Sequence, residues 1–187
     1  TNMNKLYLAL GALLFISFST FSQDELDEAC MPPAKKTLKL VETAKNSEDL
    51  RTIVDNYTKA IEAEPENAMA YYEYGVTIYN LSMDNLSSDA RKAERGFVNS
   101  ANLFQDVLTL CEEYNAGTYY YLGVIRYMQK DDVSAQEYLT KFVNFKSMDN
   151  DRFPIDYGNM LKNAKGQLKK WETIVPEEKV EIAEVPF

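Results

Sequence analysis

Histidine is absent from all 187 residues. That absence removes the commonest general base at neutral pH, the commonest metal ligand, and every Ser-His or Cys-His pair that could activate a nucleophile. Glycine is scarce too, with seven in the chain, and no Gly-x-x-x-x-Gly-Lys or Gly-x-Gly-x-x-Gly run exists to cradle a phosphate. Asp149-Asn150-Asp151 begins like a calcium loop, but the twelfth place is Met160, where such a loop needs a bidentate glutamate. Acid pairs such as Glu112-Glu113 and Glu177-Glu178 read as solvated faces, since nothing in their spacing sets two carboxylates across a cleft. No enzymatic activity is expected, and no cofactor or metal.

Positive charge is in deficit. Twenty lysines and arginines face 29 aspartates and glutamates, a formal net charge of −9. An acidic surface argues against nucleic acid and against docking on anionic lipid. Long apolar runs are also lacking, with one exception at the start. Lys5 supplies a positive end, Leu6–Phe21 is nearly unbroken apolar sequence, and Thr20-Phe21-Ser22 offers small residues before Gln23. Residues 1–22 thus read as a secretory signal peptide cleaved after Ser22, with Met3 its more natural start. The run is too short, and lacks a basic flank after it, to favour a permanent membrane span. Export to the periplasm is expected, with outer-membrane or peptidoglycan association open. A lipid anchor is not expected, because Cys30 follows Asp27-Glu28-Ala29 rather than a small apolar triplet.

The 29 acids and all bases but Lys5 fall after residue 22, leaving 19 bases against 29 acids and a charge of −10 over 165 residues. That length suits one domain with a real core. The chain has two cysteines, Cys30 and Cys111. They could pair in an oxidising compartment if the acidic lead Gln23–Pro33 folds back; the alternative is one exposed and one buried free thiol.

What the chain does have is periodicity. Tyr74-Gly75, Leu122-Gly123 and Tyr157-Gly158 recur, and Leu40-Val41 stands 34 residues before the first of them. The steps between the glycines are 48 and 35 residues. A period near 34 is the length of a helix-turn-helix unit. In the unit Ala34–Asn67, Tyr57, Ala60 and Pro65 fall at places 24, 27 and 32; in Ala116–Asp149, Tyr119, Leu122, Gly123 and Ala135 fall at places 4, 7, 8 and 20. The middle unit, from Ala68, carries Tyr71, Tyr74 and Gly75, with Phe104 displaced 13 residues late. A small residue at place 8 lets two helices approach closely, and proline at place 32 ends the second helix. Over residues 34–172 the sequence resembles the tetratricopeptide repeat family. It departs from that pattern at Val41, Ile53 and Arg126, and has no proline near Ser147.

The expected fold is all-α: a tetratricopeptide-like right-handed stack of helical hairpins with a long C-terminal capping helix. The first hairpin is expected over Ala34–Ala44 and Ser47–Ala63, turning at Asn46-Ser47. The extra residues around Leu81–Gly96 lengthen the middle hairpin, with Ser87-Ser88-Asp89 as a cap, and the third turns at Lys130-Asp131-Asp132. After Phe153-Pro154 comes the last helix, with Tyr157, Leu161, Ala164, Leu168, Trp171 and Val175 on one stripe and four lysines on the other face. Residues 173–187 read as an extended tail or edge strand.

The resemblance implies a concave groove lined by places 2, 5, 9 and 12 of each first helix. Those places hold Met69, Tyr72, Val76 and Tyr79 in the middle unit, and Gly117, Tyr120, Val124 and Tyr127 in the next. Leu38, Glu42 and Lys45 come from the first unit, and Asn159 and Lys162 from the last. Leu38 and Glu42 stand where some members carry a lysine-and-asparagine clamp for a C-terminal carboxylate, so a chaperone-tail receptor is not implied. A tyrosine offers a rigid apolar face and one hydroxyl, suited to a peptide or helix laid in the groove. The expected function is a periplasmic scaffold that binds a protein or peptide of the cell envelope. The alternative is a small-molecule or lipid carrier that uses the tyrosine-lined hollow as a closed pocket. The exported helical segment and the tail Lys179–Phe187 also resemble the front of large Bacteroidota envelope proteins with an OmpA-like peptidoglycan-binding domain, one of them in the type IX secretion machinery.

Overall fold

The computed structural model describes residues 29–147 and 150–174. The expected signal peptide, most of the acidic lead and the expected tail beyond Ile174 lie outside the described residues. Among the described residues seven α-helices follow one another: α1 Lys35–Lys45, α2 Leu50–Ala63, α3 Ala68–Asn85, α4 Ala90–Leu110, α5 Gly117–Met128, α6 Asp132–Asn144 and α7 Tyr157–Ile174. A 3₁₀ turn, Asn150–Arg152, precedes α7, and no strand occurs among the described residues. No helix among them is long and apolar enough to cross a membrane. The fold is all-α.

Short polar side chains start four of these helices by accepting the otherwise orphaned first N–H groups. Asp49 accepts from the Thr52 amide at 2.9 Å, Asn67 from Met69 at 3.1 Å, Asp89 from Lys92 at 3.0 Å and Asp131 from Ser134 at 3.1 Å. The second helix therefore begins three residues later than the expected Ser47. There the Ser47 hydroxyl accepts the Asp49 amide at 3.1 Å, and Asp49 takes over the capping. The middle hairpin is long, with helices of 18 and 21 residues against 11 and 14 in the first, which is where the inserted residues went.

Each helix packs chiefly on its neighbour in sequence: α1 on α2, α3 on α4, α5 on α6, and α7 on α6 with a smaller contact to α5. Two of the three repeated glycines stand at close approaches between paired helices. A Cβ at Gly75 would meet the Phe104 ring at 2.9 Å, and one at Gly123 would meet the Leu139 side chain at 2.7 Å and its backbone nitrogen at 3.2 Å. Across the first approach the buried Ser100 hydroxyl donates to the Gly75 carbonyl at 2.8 Å. The third repeated glycine, Gly158, has nothing within 4 Å of a Cβ. Among the described residues α7 has no returning helix to pack against this position, so the close-approach reason for a glycine fails there.

The apolar interior falls into three parts. Val41, Ala44, Ile53, Tyr57, Ala60 and Ala70 form a small core between α1, α2 and the start of α3. A larger core around Phe97, Phe104, Tyr121, Leu122 and Ile125 fills the middle, and a third around Tyr119, Leu139, Phe142 and Ala164 seats α7. The second and third share Leu108, Tyr120, Tyr138 and Met160 at their margin, whereas the first shares none of its members with either. Cys30 and Cys111 are joined in a disulfide with Cα atoms 5.4 Å apart, so the lead does fold back.

Candidate functional site

The seven tyrosine-groove residues separate into two groups. Tyr72 and Tyr79 on α3 are buried, 7% and 9% exposed, and both belong to the middle core. Tyr72 stands 6.0 Å from Phe104 and 5.5 Å from Tyr114, centroid to centroid, and its hydroxyl donates to Asn115 Oδ1 at 3.0 Å. The same Asn115 oxygen accepts the Gly117 amide at 2.8 Å, while the Asn115 amide donates to the Asp151 carbonyl at 3.2 Å. Tyr72 thus pins α3 to the start of α5 and to the 3₁₀ turn. Tyr79 packs 4.8 Å from Tyr121 and 5.8 Å from Phe97. The open groove expected over this hairpin is closed by those rings, with Met69 and Val76 half-buried beside them.

Burial sets the acid–base character of these phenols. It holds Tyr72 well above its ordinary value of 10.0 and pushes Tyr79 and Tyr121 up to about 12. At neutral pH all three are hydrogen-bonding or packing groups, with no nucleophilic phenolate among them. On the first hairpin Lys45 pairs with Glu73 of α3 at 2.9 Å. Glu42 beside it is exposed, and Leu38 is half-buried.

The second group stays open. Tyr120 and Val124 are half-buried and Tyr127 is 41% exposed. With Leu139 of α6 and Asn163, Ala164 and Gln167 of α7 they line a pocket of about 150 Å³. Tyr120 is backed by Phe142 at 5.2 Å and Tyr121 at 5.8 Å, so its ring is held from behind. At the rim, Tyr127 meets Trp171 edge-on at 5.7 Å. A larger depression of about 610 Å³ lies at the other edge, between Met31-Pro32 and the Glu64–Asn67 turn. Ala29, the first described residue, forms part of its wall. It contains none of the groove residues.

Sequence reasoning placed Asn159 and Lys162 in the groove from the last helix, and both are exposed but absent from the pocket wall. Asn163 and Gln167 line it instead. At about 3.6 residues per turn, Asn163 and Gln167 fall beside the Ala164 stripe of α7, whereas Asn159 and Lys162 lie further round the helix. The apolar stripe through Ala164 and Trp171 carried that signal, since Asn163 and Gln167 flank it on one side. No protein-family model matches the chain, and no curated protein matches it.

Proposed function

We propose that the chain is an exported, tetratricopeptide-like scaffold of the cell envelope, without enzymatic turnover, that binds a protein segment through the pocket between α5 and α7. In this reading α7 caps a right-handed stack and supplies the far wall of the groove. The observation that carries it is the pocket itself. Its volume of about 150 Å³ suits one apolar side chain, its floor is Val124, Leu139 and Ala164, and its rim holds two tyrosines and two carboxamides. Carboxamides and phenols can both donate to and accept from a peptide backbone. No charged residue is among the lining residues, so recognition there rests on shape and neutral hydrogen bonds. The Cys30–Cys111 disulfide supports an oxidising compartment.

The carrier reading has less behind it. Drug-sized ligands occupy pockets of roughly 300–1,000 Å³, whereas the tyrosine-lined pocket holds about 150 Å³ and the depression of about 610 Å³ is lined by no tyrosine. The hollow that Tyr72 and Tyr79 were expected to line is filled by their own rings. A display selection of random peptides against the immobilised protein tests the scaffold reading. Enriched peptides should share one apolar anchor and bind the Tyr127→Ala/Gln167→Ala variant at least about ten-fold more weakly, as for loss of an interface anchor. Failure of any peptide to enrich, or equal binding to that variant, overturns the assignment.

A further inference from the structure

The segment from Cys30 to Ala34 crosses the molecule as a strap. The backbone amide of Ala34 donates to both Glu64 carboxylate oxygens at 3.0 and 3.2 Å, and the Thr37 hydroxyl donates to the same carboxylate at 3.0 Å. Those bonds join the start of α1 to the end of α2. One step further back, the Met31 carbonyl accepts from Asn67 Nδ2 at 2.8 Å, at the start of α3. The disulfide then fixes Cys30 to Cys111, at the end of α4. The strap therefore runs from the first hairpin on to the second. The first hairpin needs such a tie, because its small core is separate from the other two. Its side-chain links to α3 are the Tyr57–Tyr74 stack at 4.8 Å, the Tyr57–Thr77 hydroxyl pair at 2.9 Å, the Lys45–Glu73 pair, and packing on Ala70.

We propose that the Cys30–Cys111 bond is a redox-operated clasp that locks the α1–α2 hairpin onto α3. With the bond closed, the open end of the hairpin, where α1 starts and α2 ends, is held both by the Glu64–Asn67 turn and, through the strap, by the end of α4. Reduction frees the strap from α4 and leaves only its hydrogen bonds to Glu64 and Asn67, so the hairpin loosens on α3 around Ala70, Tyr74 and Tyr57. Cys111 is 2% exposed and Cys30 more so, which makes the Cys30 sulfur the point of attack. The reductant is a dithiol, either small or carried on a thiol-exchange protein. Its thiolate attacks Cys30 Sγ, the S–S bond breaks, and Cys111 leaves as a thiolate that takes up a proton. The second thiol then attacks the mixed disulfide and releases Cys30 as a thiol. Two electrons and two protons pass to the protein, and the dithiol becomes a disulfide.

Hydrogen exchange of the full chain, read helix by helix with and without dithiothreitol, tests the clasp. Amides of α1 and α2 should exchange at least about ten-fold faster after reduction, while α5, α6 and α7 keep their protection, as expected of a local opening rather than a global one. The variant Cys30→Ala/Cys111→Ala should reproduce the reduced pattern and ignore the reductant; should that variant fail to fold, the wild-type pair of measurements decides. Equal protection of α1 and α2 in both redox states overturns the proposal. So does loss of protection in all helices together, which would make the bond a general staple instead of a clasp.

Discussion

Tyr72 and Tyr120 occupy the same place in their repeat units, as do Tyr79 and Tyr127, yet the two pairs of rings meet different fates. On α3 the tyrosines disappear into the middle core. On α5 they stand around a pocket. The difference lies in what surrounds them. The long α4 brings Phe97 and Phe104 against α3, and Tyr114 and Tyr121 close the remaining space, so Tyr72 and Tyr79 meet rings on more than one side. On α5, the next helix over is α7, which presents the small Ala164 and two slender carboxamides opposite Tyr120. Helical place sets the direction in which a side chain points. The volume arriving from the neighbouring helix decides whether that direction is core or groove.

Alkali breaks the buried set most completely. Tyr57, Tyr79 and Tyr121 are pushed up to about 12 by burial, and Tyr72 is held well above 10.0. A phenol with a raised pKa keeps its proton more tightly in the folded chain than in the unfolded one. The stability it contributes is complete below pH 10.0 and is lost as pH rises toward about 12. The share of the phenolate absorbance that belongs to these buried rings should therefore appear together with the loss of helical circular dichroism, in one cooperative step inside that window. Full ionisation of all 13 tyrosines with the helix signal intact would show that the buried rings are open to water.

Next in size is truncation of one tyrosine from each set. Tyr72→Ala removes a buried ring and the hydroxyl that holds Asn115, and should cost about 3–5 kcal/mol. Tyr127→Ala gives up one edge-on contact with Trp171 at a half-open site, a loss of about 1 kcal/mol. Chemical denaturation midpoints of the two variants measure the contrast directly. Similar costs would mean that the pocket side is as tightly built as the core, and that its openness has no bearing on binding.

The helical hairpins were legible in the sequence because their determinants are local. Asp89 and Asp131 cap helices where their turns were expected, and the stripe through Leu161, Ala164 and Leu168 does face α6. Even the error at Ser47 is local, a competition between two neighbouring caps. Of the residues expected in the groove, only those of α5 stay open to a pocket. What separates Tyr79 from Tyr127 is which rings cross from other helices, and spacing within one helix carries no record of that. The strap was hidden for the same reason: Asn67 reaches Met31 over 36 positions, and the cysteines meet over 81.

The smallest expected effect concerns the repeated glycines, and it sharpens the comparison between paired and unpaired helices. Gly123→Ala places a methyl group against Leu139, whose backbone nitrogen is 3.2 Å from the new carbon and cannot turn aside as a side chain can. Overpacking of this kind costs about 1–3 kcal/mol, so its thermal midpoint should fall. Gly158→Ala meets open space on α7 and replaces a flexible residue with a better helix former. That gain is at most about 1 kcal/mol and shrinks near a helix end, so the variant should be neutral or slightly stabilised. A loss at Gly158 comparable to that at Gly123 would mean that a further segment packs on α7 at that point. The last glycine would then regain the role that its two counterparts hold.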